Sequence, residues 1–452
     1  MIASSHQKKR LQNELANFQI LKDRFVVMLF ASLAGMLVVT LTWLSEHALI
    51  AFFAMHQRNV WLPLIWTPLL TMCIVWLTQR FATGTAGSGI PQVMAALSAQ
   101  TPREHRQLFV SVRLSIAKTL LTSCSLLAGL SAGREGPSVQ VAAGVMYNAR
   151  RWLSAGSQIK ASGLILAGGA AGIAAAFNTP LGGIMFAIEE LSRRAEDRRN
   201  GLLMTAIVLA GLIGISAYGN ATYFGDIQTT PIGWSLLLPG LAVSLSCGVM
   251  GGLFAKLLIA SLTSKSTSAV FRFRRSRPIL FAGLCGLMVG VLGLATHGAT
   301  FGSGYAHTQA ILGNAESASS LYAPLKMLAT WLTVWSGVPA GVFAPSLAIG
   351  AAFGNEWTLL LNYPHAPTLM AMGMAAFLAA VTQAPLTAFI IVMEMITGQE
   401  LVLSLMASAL LASGLSRLIS PPLYEALMHG QLQRLPVHVR ADAARTGLAR
   451  EP

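Results

Sequence analysis

Charge is what this sequence has least of. Only 11% of its 452 residues are charged, and only 17 are Asp or Glu. A soluble domain carries roughly 25%, so an ordinary water-soluble enzyme is excluded. Cysteine is scarce too. Cys73, Cys124, Cys247 and Cys285 fall in apolar stretches with no Cys or His at metal-ligand spacing. They read as inert core thiols, and no metal site is expected. Period-two alternation, the mark of a membrane β-barrel, is missing. The first two dozen residues hold no short apolar core with a small-residue cleavage site, so no cleaved signal peptide is expected and the first hydrophobic helix does the targeting. Only 28 residues follow Tyr424, basic and without apolar pattern, so no regulatory domain is expected after it.

What is present is hydrophobic: 54% of the chain, with 42 glycines and 19 prolines. Apolar runs such as 25–44 and 201–215 with its flanks approach the roughly 20 residues that a spanning helix needs. The reading is an all-α polytopic membrane protein. A net charge of +14 would point to nucleic acid in a soluble chain, but here the basic residues gather in the joints and ends: Lys8, Lys9 and Arg10; Arg193, Arg194, Arg198 and Arg199; the segment 265–277; and the tail 434–450. By the positive-inside rule these groups, and both termini, are cytoplasmic.

The chain repeats itself. Ala132-Gly-Arg-Glu-Gly-Pro-Ser138 matches Ala340-Gly-Val-Phe-Ala-Pro-Ser346, and Asn178-Thr-Pro180-Leu181 with Glu189 matches Gln383-Ala-Pro385-Leu386 with Glu394, at offsets of 208 and 205. Two homologous halves follow, 25–225 and 226–428, between a cytoplasmic segment 1–24 and a basic tail 429–452. Duplicated halves, often inverted, are common in secondary transporters, whose substrate site lies at the repeat interface near the bilayer midplane. Gly and Pro interrupt both repeated motifs. A helix broken at membrane depth exposes backbone groups that lipid cannot satisfy, so the breaks belong against protein or a water-filled cavity.

Three segments share the form Gly-x-x-x-Pro: 87–91, 133–137 and 341–345. Proline suits the first turn of a helix and glycine permits close approach, so each reads as a loop opening a helix inside the membrane, although a single such element also suits a mere kink. A helix N-terminus offers unpaired N–H groups and about half a positive charge. Several converging would hold a small anion loosely enough to release it. Glu135, Glu189, Glu190 and Glu394 lie in apolar surroundings, where ionisable residues are functional candidates. Glu135, inside one of the loops, would compete with an anion for the amides and let go when protonated; a simple helix cap is the bland reading. Glu189 reads as a salt-bridge partner of Arg193 or Arg194, and Glu394 as a hydrogen-bonded structural carboxyl.

At these residues the sequence resembles the CLC family of chloride channels and chloride/proton antiporters, in its prokaryotic antiporter form. GSGIP at 87–91, GREGP at 133–137, GVFAP at 341–345 and Pro422-Leu423-Tyr424 match its motifs in order. The resemblance implies an inverted-repeat helical fold with broken, re-entrant helices whose N-termini meet at a midplane anion site. It also implies a homodimer with one pore per subunit, in a bacterial inner membrane. Ser88 and Tyr424 would coordinate the anion by their hydroxyls, and Val342 and Phe343 by their backbone N–H groups. Glu135 would be the external gating glutamate, Glu190 the internal proton-transfer glutamate and Lys118 a buried lysine near the pore. Gly87, Gly89, Ile90, Pro91, Gly133, Arg134, Gly136, Pro137, Gly341 and Pro345 would complete the pore-lining motifs. Ser88, rather than proline, implies preference for chloride over nitrate. Gln92 and Ser420-Pro421 depart from the family pattern.

The function so implied is exchange of chloride for protons, without a cofactor; a passive chloride channel of the same fold is the alternative. Glu190 favours exchange. An enzyme is not indicated. Gly129-Leu-Ser131-Ala-Gly133 fits the G-x-S-x-G pattern, but a nucleophile elbow needs a strand-to-helix turn and a His partner. This serine falls in a helical apolar run, and neither His297 nor His307 is placed by spacing. The glycines of 84–89 lack a P-loop lysine, so nucleotide binding is not expected.

Overall fold

The computed structural model describes residues 2–191, 201–219, 223–224, 233–264, 266–313, 319–396 and 399–433. Within them the chain is helical: α1 (Ile2–Arg58), α2 (Pro63–Phe81), α3 (Ile90–Leu97), α4 (Val112–Leu127), α5 (Glu135–Asn148), α6 (Ala161–Phe177), α7 (Pro180–Phe186), α8 (Gly201–Tyr218) and α9 (Leu237–Thr263). Then come α10 (Ala269–Ser276), α11 (Pro278–Ala295), α12 (Tyr305–Leu312), α13 (Tyr322–Ser336), α14 (Phe343–Leu361), α15 (Ala366–Thr382), α16 (Pro385–Met395), α17 (Val402–Arg417) and α18 (Leu423–Gln433). The junction expected at 225–226 and the basic groups at 193–199 and 434–450 lie outside the described residues, as do the side chains of Lys8, Lys9 and Arg10.

Five stretches among the described residues are long and apolar enough to cross a membrane: Asn17–Arg58, Pro63–Phe81, Arg103–Leu127, Trp234–Thr263 and Pro278–Ala295. Their sidedness inverts that of a soluble helix. On α9, Leu237, Leu241, Leu245, Val249, Leu253 and Leu257 form an outward stripe at every fourth residue, while Gly240, Ser244, Gly248 and Gly252 are buried. Lipid is as apolar as leucine, so helices associate through close packing of small residues rather than through hydrophobic burial. Cys73 follows the same logic. It was expected in the core, but it is exposed on α2 beside Leu69 and Trp76, whereas Cys247 and Cys285 are buried; an apolar thiol sits as readily against lipid as against protein.

Helices α5, α6 and α15 are buried almost all round, which marks core helices. Helix α15 crosses α14 at Gly373 and Gly350, where a Cβ on either residue would collide with the other's backbone carbonyl. That crossing sets the direction in which α14 points its first turn.

The repeat is visible as matched local geometry. Asn178 and Gln383 both take left-handed backbone angles, φ 59° and 58°, and end α6 and α15. Two residues on, Pro180 and Pro385 open α7 and α16. Each of these new helices is then capped by a carboxylate from the other half. Glu394 accepts from Leu181 N (3.2 Å) and Gly182 N (2.8 Å); Glu189 accepts from Leu386 N (3.1 Å) and Thr387 N (2.6 Å). Glu394 is thus the structural carboxyl that its surroundings suggested. Arg193 and Arg194, the expected partners of Glu189, lie outside the described residues; its carboxylate serves the opposite half's helix, because a proline-started helix inside the protein leaves amides that need an acceptor.

A methyl group at the α14–α15 crossing should separate the helices. Gly373→Ala is expected to destabilise the protein by about 1–3 kcal/mol, the range for overpacking a close contact, and to lower the thermal unfolding midpoint in detergent. An unchanged midpoint would mean that the crossing is loose.

Candidate anion-binding site

The Gly-x-x-x-Pro loops converge because their backbones pair. Gly133 and Gly341 exchange both N–H···O bonds at 2.8 Å, Gly87 N donates to Val338 O (3.1 Å), and Ala340 N donates to Gly87 O (3.2 Å). Side chains satisfy what remains. Lys118, fully buried, donates Nζ to Thr85 O (2.8 Å) and Gly87 O (2.6 Å). Gln92 accepts from Gly89 N (3.1 Å) and donates to Ala86 O (2.5 Å), and Gln140 donates to Gly84 O and Phe109 O, both at 2.8 Å. Gly89 sits at φ 108°, closed to ordinary L side chains, which lets the chain turn into α3 with Ile90 and Pro91 in its first turn.

Three helices start beside this knot. Helix α14 begins at Phe343, and the first amide to rejoin it is Ser346 N, on Val342 O at 2.9 Å, so the Val342 and Phe343 amides precede its hydrogen-bond ladder. Pro345 and, on α5, Pro137 take the third helical position. Helix α18 brings Tyr424 across, its ring stacked on Phe343 with centroids 6.0 Å apart. Ser88 Oγ and the Tyr424 hydroxyl are both buried and within reach of each other, and neither bonds any other group. They share a cavity of about 80 Å³ with Val342. Larger cavities exist, one of about 380 Å³ between α9, α15 and α17, mostly apolar with the partnerless Ser408 hydroxyl on its wall; two facing hydroxyls beside a helix start, not volume, distinguish the Ser88 cavity. A buried hydroxyl without an acceptor is costly, and an anion there would accept from both.

Glu135, wholly buried, opens α5 and reaches α14: its Oε2 accepts from Ala344 N at 3.4 Å, while Oε1 has no partner. The carboxylate therefore takes one of α14's first-turn amides, as an anion would. Arg134 turns the other way, to Glu46 (2.9 Å) and Thr42 O (3.3 Å) on α1. Like that of Lys118, its charge is spent away from the hydroxyl pair. Gly136 packs against Ser88. Glu190 is buried, 1% exposed, on a π-helical turn Ala187–Leu191 that continues α7; such turns are frequent at functional sites. Tyr424 lies within electrostatic reach of both Glu190 and Glu135.

The sequence reading missed two members of this site. Arg274 of α10 lines the cavity and donates to Ser261 O at 2.8 Å, bringing the basic 265–277 segment to its mouth. Gln140 had no motif to mark it. Ser131 also differs from expectation: it lies in the loop after α4, not in a helix, with Oγ 2.8 Å from Thr330 Oγ1. Its partner is a threonine, because the loop that carries Gly133 must leave the helix to pair with Gly341.

The family model for voltage gated chloride channels matches residues 69–417. The chain belongs to this family. The H(+)/Cl(−) exchange transporter ClcA of Klebsiella pneumoniae is 30% identical over 443 residues, covering 93% of this chain and 91% of that protein. ClcA of Yersinia pestis is 29% identical over 484 residues, covering 99% and 95%. Among solved structures, a slow cyanobacterial Cl−/H+ antiporter superposes with a TM-score of 0.75 at 27% identity, over 92% of this chain and 98% of that one. The chain is thus an all-helical, multi-pass membrane protein of a transporter family.

If Ser88 and Tyr424 donate to a bound chloride, Ser88→Ala and Tyr424→Phe each remove a hydrogen bond to a charged group, worth about 1.5–3 kcal/mol. Chloride affinity measured by isothermal titration should fall about tenfold or more in each. Wild-type affinity in both variants would move the anion elsewhere.

Proposed function

We propose that the protein exchanges chloride for protons across the membrane. The observation that carries this reading is the Glu135 carboxylate on the first turn of α14. Charged, it is a tethered anion that closes the outer route from the Ser88–Tyr424 cavity. Protonated, it no longer competes for the Ala344 amide, and chloride can take its place. One group then couples the two substrates, since taking up a proton is what admits the anion. Helix ends and hydroxyls supply partial charges, enough to hold chloride without trapping it.

A proton leaving Glu135 inward would meet the positive potential of the same helix ends, so it needs a separate inner station. Glu190, buried and close enough to Tyr424 to interact with it electrostatically, fits that role. The relatives named as proton/chloride exchangers support exchange over a passive channel. We further read the protein as a homodimer with one pathway per subunit, its halves 25–225 and 226–428 in inverted topology, in a bacterial inner membrane with both termini cytoplasmic. The basic α10 at the mouth of the Ser88 cavity supports assigning that mouth to the cytoplasm.

The test is reconstitution into liposomes with an imposed chloride gradient: protons should move uphill, and chloride flux without proton movement would establish a channel instead. In Glu135→Gln the side chain keeps its size but cannot exchange a proton, so proton transport should vanish while chloride flux persists without pH dependence. Residual chloride-driven proton pumping would overturn the gate assignment. In Glu190→Gln, proton flux should fall to background with chloride flux retained. Glu189→Gln keeps an acceptor for Leu386 and Thr387 and should retain coupling; if it alone uncouples, the inner station is Glu189.

A further inference from the structure

Arginine is concentrated away from the anion route as well. Arg103, Arg106 and Arg113 lie just before and at the start of α4, and Arg150 and Arg151 just after the end of α5. The fold brings them together. Arg113, Arg150 and Arg151 line a cavity of about 230 Å³ with Gln107, Ser111 and Asn148; the charge of Arg106 is felt at Arg150, and that of Arg103 at Arg106. The Arg150 guanidinium lies over the Tyr147 ring, 3.6 Å from its centroid, with Nη1 buried and without a hydrogen-bond partner. Arg106 Nε is buried and unpaired too. Among the described residues none of the five has a carboxylate partner, and Glu104, in the same stretch, is exposed.

Helix-end electrostatics does not account for this cluster. Arg150 and Arg151 follow the C-terminus of α5, where a cation is favourable, but Arg113 sits in the first turn of α4, where the helix dipole opposes a positive charge. Like charges around one cavity repel, and a buried, unpaired guanidinium N–H is costly. An anion with several acceptor oxygens relieves both, and the planar fork of arginine matches a phosphate. Next to the cavity the surface is apolar and open. Arg113, Ile116 and Leu120 form one outward stripe along α4, with Ile116 51% and Leu120 54% exposed, and Trp152, 62% exposed, follows Arg151. Tryptophan beside arginine marks the level of the lipid headgroups. Asp23 accepts from Ser154 N at 2.8 Å, so the loop after α5 lies toward the N-terminal end of α1, the side that the positive-inside rule assigns to the cytoplasm.

We propose that this cavity binds the phosphate of an anionic phospholipid from the cytoplasmic leaflet, held by Arg113, Arg150 and Arg151, with an acyl chain along Ile116 and Leu120. The apolar stripe that runs on from Arg113 selects a lipid over a free phosphate, because it offers the chain a surface that a soluble anion does not use. A bound headgroup ties the start of α4 to the end of α5, and so braces the two helices that carry Lys118 and Glu135. The inference shares with the exchange reading only the assignment of the cytoplasmic side.

The probe is phosphatidylglycerol, added to the full chain in neutral detergent and followed by native mass spectrometry. It should stay bound under conditions that strip phosphatidylcholine of the same chains. Arg113→Gln and Arg151→Gln, both at exposed positions, should each weaken retention about fivefold, the scale of one basic side chain at an anionic lipid surface, and Arg150→Gln at least as much. Arg272→Gln combined with Arg275→Gln removes two exposed charges from α10 and should leave retention unchanged. Equal loss in that α10 variant reduces the cluster to diffuse surface charge and overturns the site. Unchanged retention in all three cavity variants overturns it as well, and displacement of the lipid by inorganic phosphate makes it a site for a soluble phosphate instead. Each of these results leaves the proton and chloride fluxes to be decided by their own measurement.

Discussion

A peptide group at membrane depth has no water to bond, so every broken helix must either find partners for its amides or offer them to a ligand. This constraint organises the whole molecule. Where the chain breaks at 85–89, 131–134 and 338–342, most of the exposed backbone is paired across the two halves, Gly133 with Gly341 and Gly87 with Val338 and Ala340. Lys118, Gln92 and Gln140 take up the remaining carbonyls and amides. What is left over is a small set of donors: the Val342 and Phe343 amides and the hydroxyls of Ser88 and Tyr424.

Because those donors are dipoles rather than full charges, they suit a ligand that must leave again. The nearby full charges are committed elsewhere. Arg134 faces Glu46 on α1, and Lys118 is engaged with two carbonyls behind the loop. Arg274 stands at the cavity mouth, where a cation raises the local concentration of anions without holding one at the centre. Glu135 is the exception, a carboxyl within reach of the first turn of α14, where it accepts from Ala344 N.

The same constraint explains the reciprocal caps. Helices α7 and α16 both start at proline within the protein, and each takes its acceptor from the other half, Glu394 for one and Glu189 for the other. These bonds tie the halves together at the point where Glu190 follows Glu189 on the π-helical turn, so the carboxylate that braces the repeat also sets the position of its neighbour.

Much of this was legible in the sequence, since composition and local motif decide what is local. Low charge and long apolar runs require helices in a bilayer, Gly-x-x-x-Pro requires a helix start, and duplicated spacing reveals two related segments. Tertiary structure alone decided which groups meet. Spacing cannot say that Arg134 turns from the cavity while Glu135 enters it, that Glu189 caps a helix some 200 residues away, or that Arg113 and Arg150 line one cavity. Such pairings depend on where helices cross, and the crossings are set by close backbone contacts such as Gly350 on Gly373, which no linear pattern encodes.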